Sequence, residues 1–517
     1  MLLVVATLCW ATILVGALHA ASGAASGAAS ARSLAPAGSN LIRNGGAEMG
    51  DASGNGYDAV TIPGWGVTSG LPSVIGYGTP GFVASRDRRP AASGHQLFIG
   101  GAGGPATLSQ RVPIRYPDGT RPRAATFSIS AALGGQGAHT ADASVKVSFE
   151  DASHKVLVTA TLAPVTARDR SERTELLRRS AHGHLPAGTA SAVVVLFLRT
   201  TAKDYNGPNG STDGFNYSYA DDLRLTLSVP VVKPPAVTRP VARIPHFDHV
   251  FLVYLENEDY HEIIGNTKQA PFINSLIPKS SLLADTFAEE HPSDANYLAF
   301  AGGSAFGVPL DDPAEENSQY TIDAKNIGDL VDEAHESWKA YLQSANGPCD
   351  DTVHDYYWDD DLPFLYFKDV RGRPAYCDAH VVPLEQYTAD LKSIATTPNF
   401  AWLGANDCDD MESCGIEAGD SWLETVATEF FDSPAWRTQP SLLIVTWDED
   451  AEDAQHPAQR VPTLVIGSES VKKGFVSTVR YTHYSLLRTV EAALGLGTLT
   501  DNDAYATPLN DVFRTGS

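Results

Sequence analysis

Between residues 40 and 228 the apolar positions fall in short runs or alternate with polar ones. VKVSFED, KVLVTATLA, SAVVVLFLR and LRLTLSV are rich in β-branched residues, with Gly, Pro, Asn and Asp between them. Alternation of period two with such punctuation predicts short strands, and their spacing predicts an all-β sandwich. PVVKPPAVTRPVARIP follows, and its prolines predict a semi-rigid linker over 229–245. From 246 to 517 the pattern changes. Buried-type strands (HVFLVYL, NFAWLGA, SLLIVTW, TLVIGS) alternate with helical spacings such as IGDLVDEAHESWKAYL and HYSLLRTVEAALG. That alternation predicts an α/β domain with a mostly parallel sheet.

The first twenty residues, MLLVVATLCWATILVGALHA, are an apolar run closed by small residues. They read as a signal peptide over 1–24, although the basic leading region is missing. A low-complexity Ala/Ser/Gly stretch occupies 25–39. Export to the extracellular space is therefore expected, with no membrane span in the mature chain.

Composition narrows the function. The chain of 517 residues is 43% hydrophobic and 19% charged, ample for two cores, and its formal net charge is −25. Such acidity excludes nucleic acid as a partner, because that affinity rests on clustered Lys and Arg. Cys9 leaves with the leader; Cys349, Cys377, Cys408 and Cys414 remain. An oxidising compartment favours disulfides, and sequence proximity favours Cys408–Cys414 and Cys349–Cys377.

The chemistry gathers at strand ends. HVFLVYL stops at Glu256 and Asn257, and SLLIVTW stops at Asp448 and Glu449. Ligands of open α/β sheets bind beyond the carboxyl ends of strands. Three carboxylates brought together there repel one another unless a cation lies among them. Ser293, in EEHPSDANYLAFAGG, fits as a further ligand and as a nucleophile activated by the metal. A plain serine N-cap explains the same stretch equally well. Asn296, one turn on, is a candidate donor to a phosphoryl oxygen. His483 is a candidate general acid or outer metal contact, while His291 and His456 stay ambiguous.

Two resemblances extend this reading. NLIRNGGAEMG, IPGW, GHQLFIGG, ATLSQRV and YADDLRLTL resemble secreted galactose-binding-like sandwiches of the jelly-roll, carbohydrate-binding kind. That resemblance implies a polysaccharide or cell-surface glycan as partner. It also implies a structural calcium held by Glu48 and Asp222, with ordinary solvent-facing residues as the alternative. YLENEDYHEIIGN, APFINSL, HPSDANYLAFAGGS, NDCDDMESC, GDSWL, LLIVTWDED, RVPTLVIG and YTHYSLLRTVEAALGL come in the order found in another family. Together they resemble the phosphoesterase family of secreted acid phosphatases and bacterial phospholipases C, related to the alkaline-phosphatase superfamily.

This second resemblance implies an alkaline-phosphatase-like fold in which Glu256, Asn257, Ser293, Asp448 and Glu449 bind a divalent metal. Ser293 would be phosphorylated and then released by water. All-oxygen ligation suits Mg, Mn, Ca or Fe. Asp361, Asp410, Glu412 and Asp420 fall at family motif positions and are candidate substrate contacts. The chain departs from the family too: relatives carry KHNPF where DDLPF stands, and a histidine in NDMHD is replaced at Glu412. A phosphomonoester is the expected substrate, with phosphodiester or phospholipid cleavage as the alternative. A non-catalytic glycan-binding protein with a degenerate hydrolase domain is the reading from another class.

Overall fold

The computed structural model describes residues 33–84, 87, 89, 94–102, 104–117, 124–200, 215–308, 321–358, 362–451 and 459–514. The expected leader, and Asp361 and His456 among the candidate residues, lie outside them.

The N-terminal part is two five-stranded antiparallel sheets. One runs Gly66–Ser69, Ala106–Pro113, Ser191–Arg199, Asp142–Glu150, Val156–Leu162, and the other Ser73–Gly76, Gln96–Ala102, Phe215–Leu227, Ala125–Gly135, Glu175–Leu185. Alternating residues of both sheets, among them Leu108, Val145, Val194, Leu196, Phe98, Ile129, Leu133 and Leu225, share one core. The sandwich expected from the period-two pattern is therefore present. Its last long strand shifts register between Asp221 and Arg224. The proline-rich segment leaves that core by pairing Val231–Val232 with Leu34–Ala35.

The C-terminal part is built on one mixed sheet. Its order is Val381–Pro383, Trp338–Leu342, Phe400–Gly404, His249–Leu255, Ser441–Trp447, Arg460–Gly467, Ser281–Phe287, Phe475–Ser477. The first five strands are mutually parallel, and Arg460–Gly467 runs antiparallel to both neighbours. All seven residues of His249–Leu255 and of Ser441–Trp447 are buried. Leu252, Tyr254 and Ile444 face one core and Phe251, Val253, Leu443 and Val445 the other, so helices cover both faces. Phe251 stacks flat on Phe430 of the helix Ile416–Asp432 with centroids 3.8 Å apart.

One predicted helix is corrected. IGDLVDEAHESWKAYL is not continuous: a helix spans Ile327–Glu333, opened by a capping box at Asn326, and Trp338–Leu342 is a strand beside Phe400–Gly404. His335 turns the chain with φ 62. Trp338 and Tyr341 suit a buried pleated position, and pairing with Val381–Pro383 on one side and Phe400–Gly404 on the other outweighs the helical spacing.

Both disulfides join the pairs favoured by proximity, Cys349–Cys377 and Cys408–Cys414. They enclose loops with sequence separations of 28 and 6. Loop-closure entropy makes the longer one worth more. Replacing Cys349 and Cys377 by alanine is expected to cost about 3–4 kcal/mol, and replacing Cys408 and Cys414 about 2 kcal/mol. Urea unfolding of the two double variants checks the order.

Candidate active site

The strand His249–Leu255 lies beside Ser441–Trp447 in parallel register, with Leu255 opposite Trp447. Both therefore end at one level, and Glu256, Asn257, Asp448 and Glu449 leave the sheet together. The Asp448 amide donates to the Leu255 carbonyl at 3.0 Å, extending the ladder into the site. Asn257 adopts φ 38, the left-handed region that asparagine tolerates better than most residues.

Opposite stands the helix Asp294–Gly302, with Ser293 at its N-cap position. A capping serine has extended backbone and accepts a bond from its own helix. Ser293 does neither: its backbone is already helical (φ −52, ψ −50) and its side chain makes no cap bond. Its Oγ instead lies 3.0 Å from Glu256 Oε2, 3.3 Å from Asn257 Oδ1 and 3.4 Å from Glu449 Oε1. The hydroxyl faces the acidic groups of the strand ends.

Burial makes this cluster electrostatically tense. Desolvation pushes Asp448 up to about 6, against the opposing bond from Ser293. Burial also raises Asp410 to about 8, with Asp407, Glu412 and Asp448 adding repulsion. The Glu256 amide donates to the Asp410 carbonyl at 3.0 Å, and Glu412 Oε1 lies 3.4 Å from Asn257 Nδ2. Asp410 and Glu412 thus border the site.

The Asn257 amide tests whether a cation fits. As placed, its oxygen faces only acceptors; turned over, its nitrogen would donate to Glu256 Oε2 at 2.8 Å and to Asp448 Oδ1 at 3.1 Å. The amide can therefore donate to these carboxylates, or present its oxygen beside theirs to a cation. Carboxylate, amide and hydroxyl oxygens make a hard donor set suited to a divalent cation. Among the described residues no three His, Cys, Asp or Glu side chains come together as a group that could by themselves hold a metal ion. The fit therefore rests on the mixed set Glu256, Asn257, Ser293, Asp448 and Glu449.

Three expected contacts have other work in the structure. Asn296 is buried, and its amide holds the backbone just before Ser293: Oδ1 accepts from Glu289 N at 2.9 Å and Glu290 N at 3.3 Å, and Nδ2 donates to the Glu290 carbonyl at 2.9 Å. It clamps that loop with three hydrogen bonds. His483 is wholly buried at the start of the helix His483–Ala493. Its Nδ1 lies 2.6 Å from Glu289 Oε2 and its Nε2 lies 2.9 Å from the Trp447 carbonyl. Both partners accept, so the ring must donate twice and carry charge. Burial opposes that charge, but Glu289 outweighs it and the pKa is raised. His483 braces the carbonyl before Asp448 instead of donating a proton to substrate. Asp420 accepts from Phe272 N at 3.0 Å and Ile273 N at 2.8 Å, capping the helix Pro271–Leu276.

In the sandwich, Asp222 pairs with Arg178 and Arg224, and Glu48 Oε1 accepts from His95 N at 2.8 Å and Gln96 N at 3.0 Å. The carboxylate directed inward beside them is Asp221, wholly buried and bonded to the Tyr77 hydroxyl at 2.8 Å.

Tyr297 escaped the sequence reading, and His291 stayed ambiguous in it. Tyr297 donates to Glu256 Oε1, and its place four residues after Ser293 is the helical spacing that could have disclosed it. His291 Nδ1 lies 2.5 Å from Glu449 Oε2, and its Nε2 lies 3.2 Å from Asp450 Oδ1. Burial lowers its pKa, but these two carboxylates prevail and push it up to about 11. The imidazolium puts positive charge beside Glu449 and Asp450.

Residues 267–497 match the model of the Phosphoesterase family. The matched segment holds the helix led by Ser293 and the Asp448–Glu449 strand end. The enzyme class it defines is a hydrolase acting on phosphoric ester bonds. Among curated relatives, a phosphatidylinositol-3-phosphatase of Mycobacterium tuberculosis is 29% identical over 54% of this chain and 87% of its own length. A phosphate-repressible acid phosphatase of Penicillium chrysogenum is 26% identical over 49% of this chain and 60% of its own. Among solved structures, an alkaline-phosphatase-superfamily protein of Vibrio parahaemolyticus aligns with TM-score 0.39 and 12% identity, covering 52% of this chain and 71% of that one.

The raised pKa of Asp448 has a sign that can be tested. The folded state binds its proton more tightly than the unfolded one, so this group leaves stability intact below the unfolded pKa near 4 and subtracts from it as pH rises through about 6. In chelator-treated protein, Asp448→Asn is expected to raise Tm by several degrees at pH 7 and to leave it nearly unchanged at acid pH below that window. Thermal unfolding across pH measures both.

Proposed function

We propose that the protein is a secreted, metal-dependent phosphomonoesterase of acid-phosphatase type that works through a phosphoserine on Ser293. The observation that carries this reading is the Ser293 side chain, which forgoes its helix cap to meet Glu256, Asn257 and Glu449 from two different strand ends. Glu256, Asn257, Asp448 and Glu449 would hold the metal. When bound, it would lower the hydroxyl pKa and neutralise phosphoryl oxygens.

The chain's own groups supply the rest. Ser293 Oγ forms a bond to phosphorus as the ester oxygen departs, and its proton passes to the carboxylate cluster, where Glu256 Oε2 already accepts it. The amide end of the helix Asp294–Gly302 faces the developing negative charge. Charged His291 steadies Glu449 and Asp450 beside it. Water then attacks the phosphoserine and returns the hydroxyl. The curated relatives, both named as phosphatases, support monoester over diester cleavage.

The sandwich, read as galactose-binding-like, would hold the enzyme to polysaccharide or a cell surface. Its strand order and the sequence motifs at 40–50 and 219–227 support that role.

Ser293→Ala is expected to lower kcat on a chromogenic phosphomonoester by about 10³-fold or more, with the fold unchanged by circular dichroism. Chelation should abolish wild-type turnover and a divalent cation restore it. Mass spectrometry of acid-quenched enzyme should find phosphate on the peptide containing Ser293. Background rates for wild type and variant alike would remove the proposal, and faster turnover of a bis-ester would move it to the phosphodiesterase reading.

A further inference from the structure

The sandwich reaches further into the catalytic domain than a tether needs to. Its loop after Asp51 is fixed first to the sandwich itself. Ser53 Oγ donates to Asp58 Oδ1 and accepts from Gly56 N at 2.7 Å, and the Asp58 carbonyl accepts from Ser73 Oγ at 2.6 Å. Asp58 is only 2% exposed, although it lies in a loop.

From this fixed base the loop holds the nucleophile helix at both ends. Ahead of the helix, Ala59 N–H donates to the Glu289 carbonyl at 3.0 Å. Glu289 is the residue whose amide Asn296 clamps and whose carboxylate holds His483, which in turn holds the Trp447 carbonyl before Asp448. Behind the helix, Thr61 N–H donates to Asn502 Oδ1 at 3.1 Å, and Asn502 Nδ2 donates to the Gly303 carbonyl at 3.1 Å. Gly303 ends the helix at φ 74, where a Cβ would come within 2.9 Å of Thr500 Oγ1 and Asp503 Oδ1. Asp51 Oδ2 also accepts from Asp501 N at 2.8 Å. Two backbone donors of one sandwich loop thus fix both ends of the helix led by Ser293.

We propose that the 51–61 loop is a positioning element of the catalytic centre: by holding the Glu289 carbonyl and, through Asn502, the Gly303 carbonyl, it sets where the Ser293 hydroxyl stands against Glu256 and Glu449. The sandwich then contributes to turnover as well as to any placement on a surface. The inference rests on the phosphomonoesterase reading above. Small errors in the position of a reacting group cost large factors in rate, which gives a remote hydrogen bond its leverage.

The test uses the full-length chain. Ala59→Pro removes the N–H, Ala59→Gly keeps it, and Arg239→Ala breaks the exposed ion pair to Asp501 and the contact over Tyr505 on the same domain boundary while leaving the Ala59 and Thr61 bonds in place. Ala59→Pro is expected to lower kcat on a chromogenic phosphomonoester by about tenfold or more with KM within about twofold. Ala59→Gly and Arg239→Ala should stay within about twofold of wild type in both. Hydrogen exchange on metal-free protein should be faster over 286–303 in Ala59→Pro alone. If Ala59→Pro does not fold, Asn502→Ala, which cuts the second hold, should give the same split. Unchanged kcat and exchange in the variant that loses its bond, or an equal loss in Ala59→Gly, overturns the inference. An inactive wild type removes the enzymatic reading instead, and the exchange comparison still decides whether the loop fixes the helix.

Discussion

Everything in the catalytic domain answers to one electrostatic constraint: several carboxylates are buried around a single hydroxyl. Water cannot reach them to dilute their repulsion, so the surrounding elements must hold them by other means. Parallel pairing of His249–Leu255 with Ser441–Trp447 brings them to one level. Tyr297 and the His291 imidazolium then lie against them as donors. The cluster is stable only because it is enclosed by groups that give protons or positive charge, and that same strain is what makes a hydroxyl there worth having.

A second layer keeps this arrangement rigid. Asn296, His483 and Glu289 touch no reacting atom, yet each fixes backbone next to a group that does. Buried polar chains of this kind tolerate no missing member, because every lost partner leaves a desolvated group behind it. Polar side chains near a phosphoesterase centre therefore divide between those that face the hydroxyl and those that steady the first set from behind.

This division explains what could be read from the chain alone. The two strand ends were legible because fully apolar runs stop abruptly at oxygen-bearing residues. Ser293 was legible as a candidate, but its two readings could be separated only by backbone angles and the direction of its Oγ. Asn296 and His483 were recognisable as motif positions, yet not their orientation, since a residue one turn from a nucleophile can face the ligand or the loop behind it. WKAYL misled because its spacing satisfies a helix as well as a buried parallel strand, and only the two strands that flank it decide. Ala59 gave no signal, for its importance comes from its bond to the Glu289 carbonyl, far away in the chain.

The left-handed backbone of Asn257 has one more consequence. Its side chain must bring a neutral oxygen-and-nitrogen group to a crowd of acids, while its main chain must bend in a way most side chains resist. Glutamine meets the first demand and adopts the second less readily; glycine meets the second and fails the first. Aspartate bends readily but adds yet another negative charge. Asparagine is the side chain that answers both demands at least cost, so geometry narrows drift at this position before selection on turnover has any say.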